Sequence, residues 1–472
     1  MSKLVQATRQ YDSLTANGAV THSTSLHNCL DMFFMAGATR SWDEGSIIQL
    51  FLKAHSEDRD LAYRILFWAR DCRGGAGEKR FFHVVAKFLA HHQPGSSLRD
   101  EWDALAFIVP EYGSWKDLFV VESPDLDRLN YLSIQLQENE HANLLAKWFP
   151  RKGPWFTAMH KYLKVTPKEF RKSLVAMTNV VETRMCQKEW SSIDYSKVPS
   201  IAMNKYRNAF MRKDADRFTD FNKDVLDGKA KVNASTLHPH QLIQALMSNE
   251  DANAVEAQWL SLPDYMEGST ERILPMCDVS GSMHGTPMDV SIALGLYISE
   301  RNKSIFKDAV LTFSSEPTMH HIKGSNLVQR AVNLGHADWG MSTDLQKAFK
   351  LILDSAVREG LSESDMPTKL LIISDMEFNQ ATTGTNLDAI KQQYIDAGYV
   401  MPEVIFWNVN GRMGNVPARA DEEGVGLVSG FSPSILTSIL QGRVETPMDL
   451  MHKTISTDRY KAVTHNLSLF AE

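Results

Sequence analysis

Cysteine is scarce and scattered: four residues in 472, at Cys29, Cys72, Cys186 and Cys277, with no CxxC pair. That spacing fits buried free thiols in a reducing compartment better than a disulfide framework or a thiolate zinc site. Long apolar runs are also missing. No stretch approaches about 18 consecutive apolar residues, so no membrane-spanning helix is expected. The opening MSKLVQATRQYDSL lacks the apolar centre of a secretory signal. A soluble, cytoplasmic protein is the expectation. Strand-like alternation is rare from His22 to about His240, and no fixed-period repeat runs through that half.

Charge is present but unevenly placed. The net charge is −7, yet His141 to Lys231 holds 19 Lys and Arg against 9 Asp and Glu, so the remainder carries −17. Such asymmetry points to a nucleic-acid or acidic partner for the basic part, although a solvated helical surface gives the same count. Cations in this segment alternate with rings, as in KWFPRKGPWF from Lys147. The candidate phosphate contacts are Lys147, Arg151, Lys152, Lys161, Arg171, Lys172, Lys205, Arg207, Arg212 and Lys213. Many of the rings, Trp148, Phe149, Phe170 and Phe210 among them, fall at apolar helical positions and are expected in the core. Earlier, RGGAGEKR (Arg73–Arg80) lacks phosphate-loop spacing and joins two helical patterns. It still places Arg73, Lys79 and Arg80 at a helix start, where backbone N–H groups favour anions.

Apolar residues at three- and four-residue spacing make residues 22–263 a run of helices with short turns. Stacked helical hairpins, an irregular HEAT-like array, are expected there. Residues 1–21 read as a poorly specified leader. Residues 268–447 alternate strands and helices in the order of a doubly wound, mostly parallel α/β sheet, Rossmann-like in type. A tail, 448–472, is expected to pack back on the helical part.

The stretch that organises the second half is ILPMCDVSGSM (Ile273–Met283). A buried apolar strand ends abruptly in Asp278, Ser280 and Ser282, on the loop where open α/β sheets place ligands. Alone, Asp-x-Ser-x-Ser is a helix cap and a turn as readily as a ligand set. Two further segments change this: WGMSTD brings Thr343 ahead of a helix, and KLLIISD ends a second apolar strand in Asp375. Five oxygen-bearing side chains at one sheet edge suit a hard divalent cation, Mg²⁺, Mn²⁺ or Ca²⁺.

The set resembles the metal-ion-dependent adhesion site of von Willebrand factor A (vWA) domains. With the helical half it resembles the Ro ribonucleoprotein (TROVE–vWA) family. It is nearer still to uncharacterised relatives from plants, bacteria and viruses that carry a C-terminal vWA domain. The likeness rests on CDVSGSM, DWGMSTDLQKAF, SDMEFNQA and VIFWNVN, and on RGGAGEKR, LAKWFPRKG, PKEFRKSL and VPSIAMNKYRNAF. It implies metal ligation by Asp278, Ser280, Ser282, Thr343 and Asp375, with a coordination position left for a partner's acidic group. It further implies helices that close into a ring and bind small non-coding or misfolded RNA, and no enzymatic activity. A metal-dependent interaction scaffold without RNA is the alternative. Hydrolysis through Asp278 and Asp375 is disfavoured, because two-metal chemistry wants more clustered carboxylates and no base or nucleophile is evident.

Overall fold

The computed structural model describes residues 12–122, 124–138, 142–248, 251–313, 316–337, 339, 344–379 and 386–469. Capping residues and apolar stripes place the helices of the first half. Asp58 ends helix Glu44–Glu57 and opens Arg59–Arg70, its carboxylate accepting from Leu61 N at 2.9 Å. Thr166 and Glu169 form a reciprocal capping box, with Pro167 opening helix Pro167–Met177. Helix Arg59–Arg70 is buried on nearly every side. Helices Asn28–Ala36, Glu44–Glu57 and Lys79–Ala90 surround it, together with Asp458–Leu469 from the far end of the chain.

Six strands form the sheet of the second half: β3 (Ile273–Cys277), β4 (Ala309–Thr312), β5 (Met319–His321), β6 (Lys369–Ser374), β7 (Glu403–Asn408) and β8 (Val425–Ser429). A separate hairpin pairs β1 (Ser13–Leu14) with β2 (Val20–Thr21). The sheet order is β5-β4-β3-β6-β7-β8, and only β5 runs antiparallel to its neighbour. β3 and β6 are buried throughout, and apolar but for the paired Lys369 and the terminal Ser374, as expected for strands covered on both faces. From β3 the chain crosses through helix Thr286–Arg301 to β4 on one side. From β6 it crosses through Asn386–Ala397 to β7 on the other. The connections therefore diverge between β3 and β6, which makes their carboxyl ends the switch point of the sheet.

Both ends of the helical array are fastened to this sheet. At one end, helix Asn28–Ala36 packs on β8, and Ser429 Oγ donates to Phe33 O (2.8 Å) while accepting from Gly37 N (3.0 Å). At the other, helix Pro239–Met247 packs on Thr286–Arg301, with Gln244 Nε2 donating to Asp289 Oδ2 at 2.7 Å. Between them the contacts continue through helices Ala142–Trp148 and Pro167–Met177, across the Lys147–Glu182 pair, to Ser200–Lys213, Ala215–Leu226 and Ala252–Leu260. Array and sheet thus form one closed circuit of contacts. Ile193, Tyr195, Phe210, Phe218 and Val225 share a small core of their own, separate from the large one that unites the remaining helices with the sheet.

One feature differs from the sequence expectation. Residues 12–21 do not behave as a leader; they form the β1–β2 hairpin, docked on the loops after β6 and β7. Helix Ala252–Leu260 follows Pro239–Met247 at the end of the helical half. Over its described residues the tail is two helices, Pro447–Ile455 and Asp458–Leu469. It packs on the first half, where Tyr460 Oη donates to the fully buried Asp71 at 2.9 Å. Cys29 and Cys277 are buried, whereas Cys186 is exposed and Cys72 half-buried; all four are free.

Helix Asn28–Ala36 approaches β8 so closely that a Cβ at Gly37 would run into the backbone of Gly430. Gly37→Ala is therefore expected to cost about 1–3 kcal/mol, an overpacking penalty between two rigid backbones. Chemical denaturation of the two proteins checks this; equal midpoints would show that the junction yields.

Candidate functional site

Asp278 is the first polar residue after the buried β3, and it stays fully buried. Its N–H donates to Ile373 O (3.0 Å), continuing the ladder. Its Oδ1 accepts from Ser280 N (2.9 Å) and its Oδ2 from Ser374 Oγ (2.6 Å). The turn so closed leads into a short 3₁₀ segment, Gly281–Met283, which sets the Ser280 and Ser282 hydroxyls 3.1 Å apart. Asp375 leaves β6 beside it, 3% exposed. It accepts from Glu377 N at 3.2 Å, and the nearby Ser282 hydroxyl favours its charged form. Ser282 itself is exposed, so the cluster opens to solvent on that side.

Four of the five expected ligands are thus brought together. Thr343 lies outside the described residues; Asp344, which follows it, caps helix Leu345–Glu359 by accepting from Lys347 N at 3.0 Å. Ser374 and Glu377 escaped the sequence reading. The signal for Ser374 was available, because pairing Cys277 with Ile373 places Ser374 opposite Asp278. Glu377 could not be found that way, since its role is set by distant partners. It accepts from Arg412 Nε (2.7 Å), Asn415 Nδ2 (3.2 Å) and Ala16 N. Between the two carboxylates Met376 holds a left-handed φ of 67°, its carbonyl accepting from Asn415 Nδ2 at 2.9 Å. Backbone strain of this kind persists only where surrounding contacts over-determine the loop.

The electrostatics follow from burial. Leaving water raises the Asp375 carboxyl, and the neighbouring Asp278 charge raises it further, to about 6. Burial also raises Asp278, while donation from Ser374 and Ser280 offsets part of that. Among the described residues neither carboxylate forms an ion pair with Lys, Arg or His. Two carboxylates and two hydroxyls at one edge, lacking a cationic partner, fit a hard divalent cation.

The candidate RNA contacts separate into groups. Lys152, Lys161, Lys172 and Lys213 are exposed, and no described carboxylate pairs with them. Others are engaged: Lys147 with Glu182 (2.7 Å), Arg151 with Phe149 O (3.1 Å) and Arg212 with Asn208 O (3.2 Å). Arg171 lies 4.7 Å over the Phe156 ring, and Lys205 is 5.1 Å from that of Tyr206. Arg207 is a correction. It is 1% exposed, inside the small core, and cannot meet a polyanion from solvent. Its spacing gave the clue, since Met203, Arg207 and Phe210 share one helical stripe. Trp148 is the opposite correction: it is 40% exposed, with Lys147 and Lys116 amines 5.1 and 5.5 Å from its ring. Phe149, Phe170 and Phe210 are buried as expected.

In the Arg73–Arg80 segment, Arg73 donates to Glu111 O (3.0 Å) and Arg80 to Thr39 O (3.0 Å). The helix start expected to favour anions is already capped, by Glu78 accepting from Arg80 N at 2.9 Å. A further cluster, His27, Cys29 and Glu57, has the ingredients of a metal site. Glu57, however, is committed to capping helix Asn28–Ala36 through Asn28 N and Cys29 N, and burial pushes the Cys29 thiol up to about 12. That cluster is a helix cap.

The raised Asp375 carboxyl makes a signed prediction. The folded state holds this proton more tightly than the unfolded chain, whose ordinary value is 3.8. Its contribution to stability is fully present below about pH 3.8 and is lost as pH rises through about 6. In EDTA at pH 7.5, Asp375→Asn is therefore expected to be more stable than wild type by about 1–3 kcal/mol, with the gap closing toward pH 4. Thermal unfolding across this range checks it, and a gap that does not vary with pH would show that the carboxylate is compensated.

Comparison with known proteins follows the two structural halves. Residues 15–122 and 135–270 match a family described as a domain of unknown function (DUF2828). Residues 272–467 match another, also described as a domain of unknown function (DUF7788). Over 499 residues the chain is 30% identical to the uncharacterized protein L728 of Acanthamoeba polyphaga mimivirus, covering 93% of this chain and 86% of the viral protein. Among solved structures it aligns with the Ro (RSR) protein of Deinococcus radiodurans over 92% of this chain and 100% of that one, at 13% identity and a TM-score of 0.36. With its first half matched almost throughout and a viral relative aligned nearly end to end, the chain belongs to the DUF2828 family, its sheet domain being of the DUF7788 type.

Proposed function

We propose that this is a non-catalytic RNA-binding protein, a scaffold or quality-control factor for small non-coding or misfolded RNA. Its sheet domain holds a divalent cation, Mg²⁺ first among the candidates, for an acidic group of a protein partner. The observation that carries the RNA reading is the surface of the basic segment. Lys152, Lys161, Lys172 and Lys213 are exposed without carboxylate partners, and Trp148 offers an exposed ring between two amines. Unpaired cations neutralise phosphates, and an exposed indole stacks on an unpaired base. Single-stranded or structured RNA fits such a surface. No described helix is long and apolar enough to cross a membrane.

Reversing Lys152, Lys161, Lys172 and Lys213 to Glu is expected to weaken binding of mixed-sequence single-stranded RNA by about tenfold or more, and to flatten its salt dependence. Trp148→Ala is expected to cost about 1–3 kcal/mol on single-stranded RNA, the worth of one stacked base, and little on duplex. Gel-shift titrations at several salt concentrations measure both. Unchanged affinity in the charge-reversed protein would remove this surface from the account.

A second reading, a metal-dependent interaction scaffold without physiological RNA, is favoured by the convergence of Asp278, Ser280, Ser282 and Asp375. The two readings separate on metal removal. Capture of an acidic protein partner is expected to fail with EDTA or Asp278→Ala and to return for wild type with Mg²⁺. RNA binding through the basic surface is expected to survive both treatments. Loss of RNA binding in EDTA, in protein that stays folded by circular dichroism, would argue against independent surfaces.

A further inference from the structure

The Arg73–Arg80 segment belongs to neither surface, but it delivers a third one. It leads into helix Lys79–Ala90, where Lys79, His83 and Lys87 recur every four residues and stand on one face, rising about 6 Å per step. This face lines a groove of about 420 Å³, a volume typical of a small-ligand site. The groove reaches Arg40, whose guanidinium lies 3.4 Å over the ring of Phe431 just beyond β8. Its wall is therefore fixed to the sheet domain.

The charges in the groove do not cancel. Of its two carboxylates, Glu78 is buried, paired with Arg40, and occupied in capping the helix. Glu44 is exposed at the start of the facing helix. Lys79 and Lys87 pair with no described carboxylate, and Arg80 donates only to a backbone carbonyl, Thr39 O. His83 Nε2 is held 2.7 Å from Asp117 Oδ1, and Arg70 takes the other Asp117 oxygen, so that carboxylate faces inward and is already shared. Burial pulls the Lys79 amine below its usual range, which an anion in the groove would reverse.

We propose that this groove binds an anion carrying consecutive phosphate groups, engaged by Lys79, Arg80 and Lys87. The phosphates belong either to a free oligophosphate or to an RNA strand; the recognition chemistry is the same. An arginine fork among regularly spaced amines suits tetrahedral phosphate oxygens. The groove is lined by none of Lys152, Lys161, Lys172 and Lys213 and does not rest on them.

The test is calorimetric titration of the full chain with inorganic pyrophosphate, with an eight-nucleotide single-stranded RNA and with oligoglutamate. Wild type is compared with Lys79→Gln/Lys87→Gln and, as the conservative control, Lys79→Arg/Lys87→Arg. Pyrophosphate is expected to bind wild type and the Arg variant, and about tenfold more weakly the Gln variant. Loss confined to the RNA arm identifies the source as nucleic acid and keeps the proposal. Charge reversal at Lys152, Lys161, Lys172 and Lys213 should leave pyrophosphate binding unchanged, so failure of the RNA reading is distinguishable from failure of this one. The proposal is overturned if neither phosphate probe distinguishes the folded Gln variant from wild type, or if oligoglutamate binds as tightly as pyrophosphate with the same loss.

Discussion

Asp278 and Asp375 follow neighbouring parallel strands, and the pairing of Cys277 with Ile373 leaves them side by side out of water. Like charges in a low-dielectric setting repel strongly, so the fold must either protonate one or supply a counter-charge. Much of the sheet domain can be understood from that requirement. Strands β3 and β6 sit where the sheet's connections diverge, so the loops at their carboxyl ends lead away from each other and leave the two acids at an open edge. Met376 is held in a strained conformation by Ser374 and Asn415, and Glu377 by Arg412 and the N-terminal hairpin. Residues 374–377 are thus fixed by several partners at once, and preorganisation of this kind lowers the ordering cost of any binding.

The helical half answers a different constraint. An array of helices with one exposed end would leave apolar faces uncovered, and here both ends are closed by the sheet domain. The seam is largely backbone: Ser429, Asn408 and Ser434 reach carbonyls and amides of the helical half, and Gly37 meets Gly430 without a side chain between them. Charge is divided along the same lines, with ten excess positive charges on residues 141–231 and a surplus of acid elsewhere. A strongly basic segment thereby coexists with a chain that is acidic overall.

What could be read from the sequence was whatever is local. The apolar runs that became β3, β6 and β7 are continuous because both faces are covered, and their boundaries are nearly those read from the residues. Asp278, Ser280, Ser282 and Asp375 were legible because each follows directly from the end of such a run. Arg207 was misread because a cation was taken for surface on residue type, although its neighbours Met203 and Phe210 marked the stripe as buried. Trp148 was misread in the reverse sense, since an aromatic at the end of a seven-residue helix can project past its packing partners. The β1–β2 hairpin was invisible for another reason. Each of its strands is two residues long, and its stability comes from partners that no local pattern announces.

That hairpin has a consequence for how the chain is made. Thr15, Ala16 and Asn17 bond to residues 360 to 363 positions further on, and Ser13 to one 401 positions away. A ribosome therefore releases the hairpin residues 13–21 long before their docking surface has been synthesised. They must wait, unpaired, while the helices between them and the sheet assemble, because contacts across such loops are slow to form. Glu377 and Phe378, just beyond the second buried acid, gain these partners only when a piece made early returns to meet one made late.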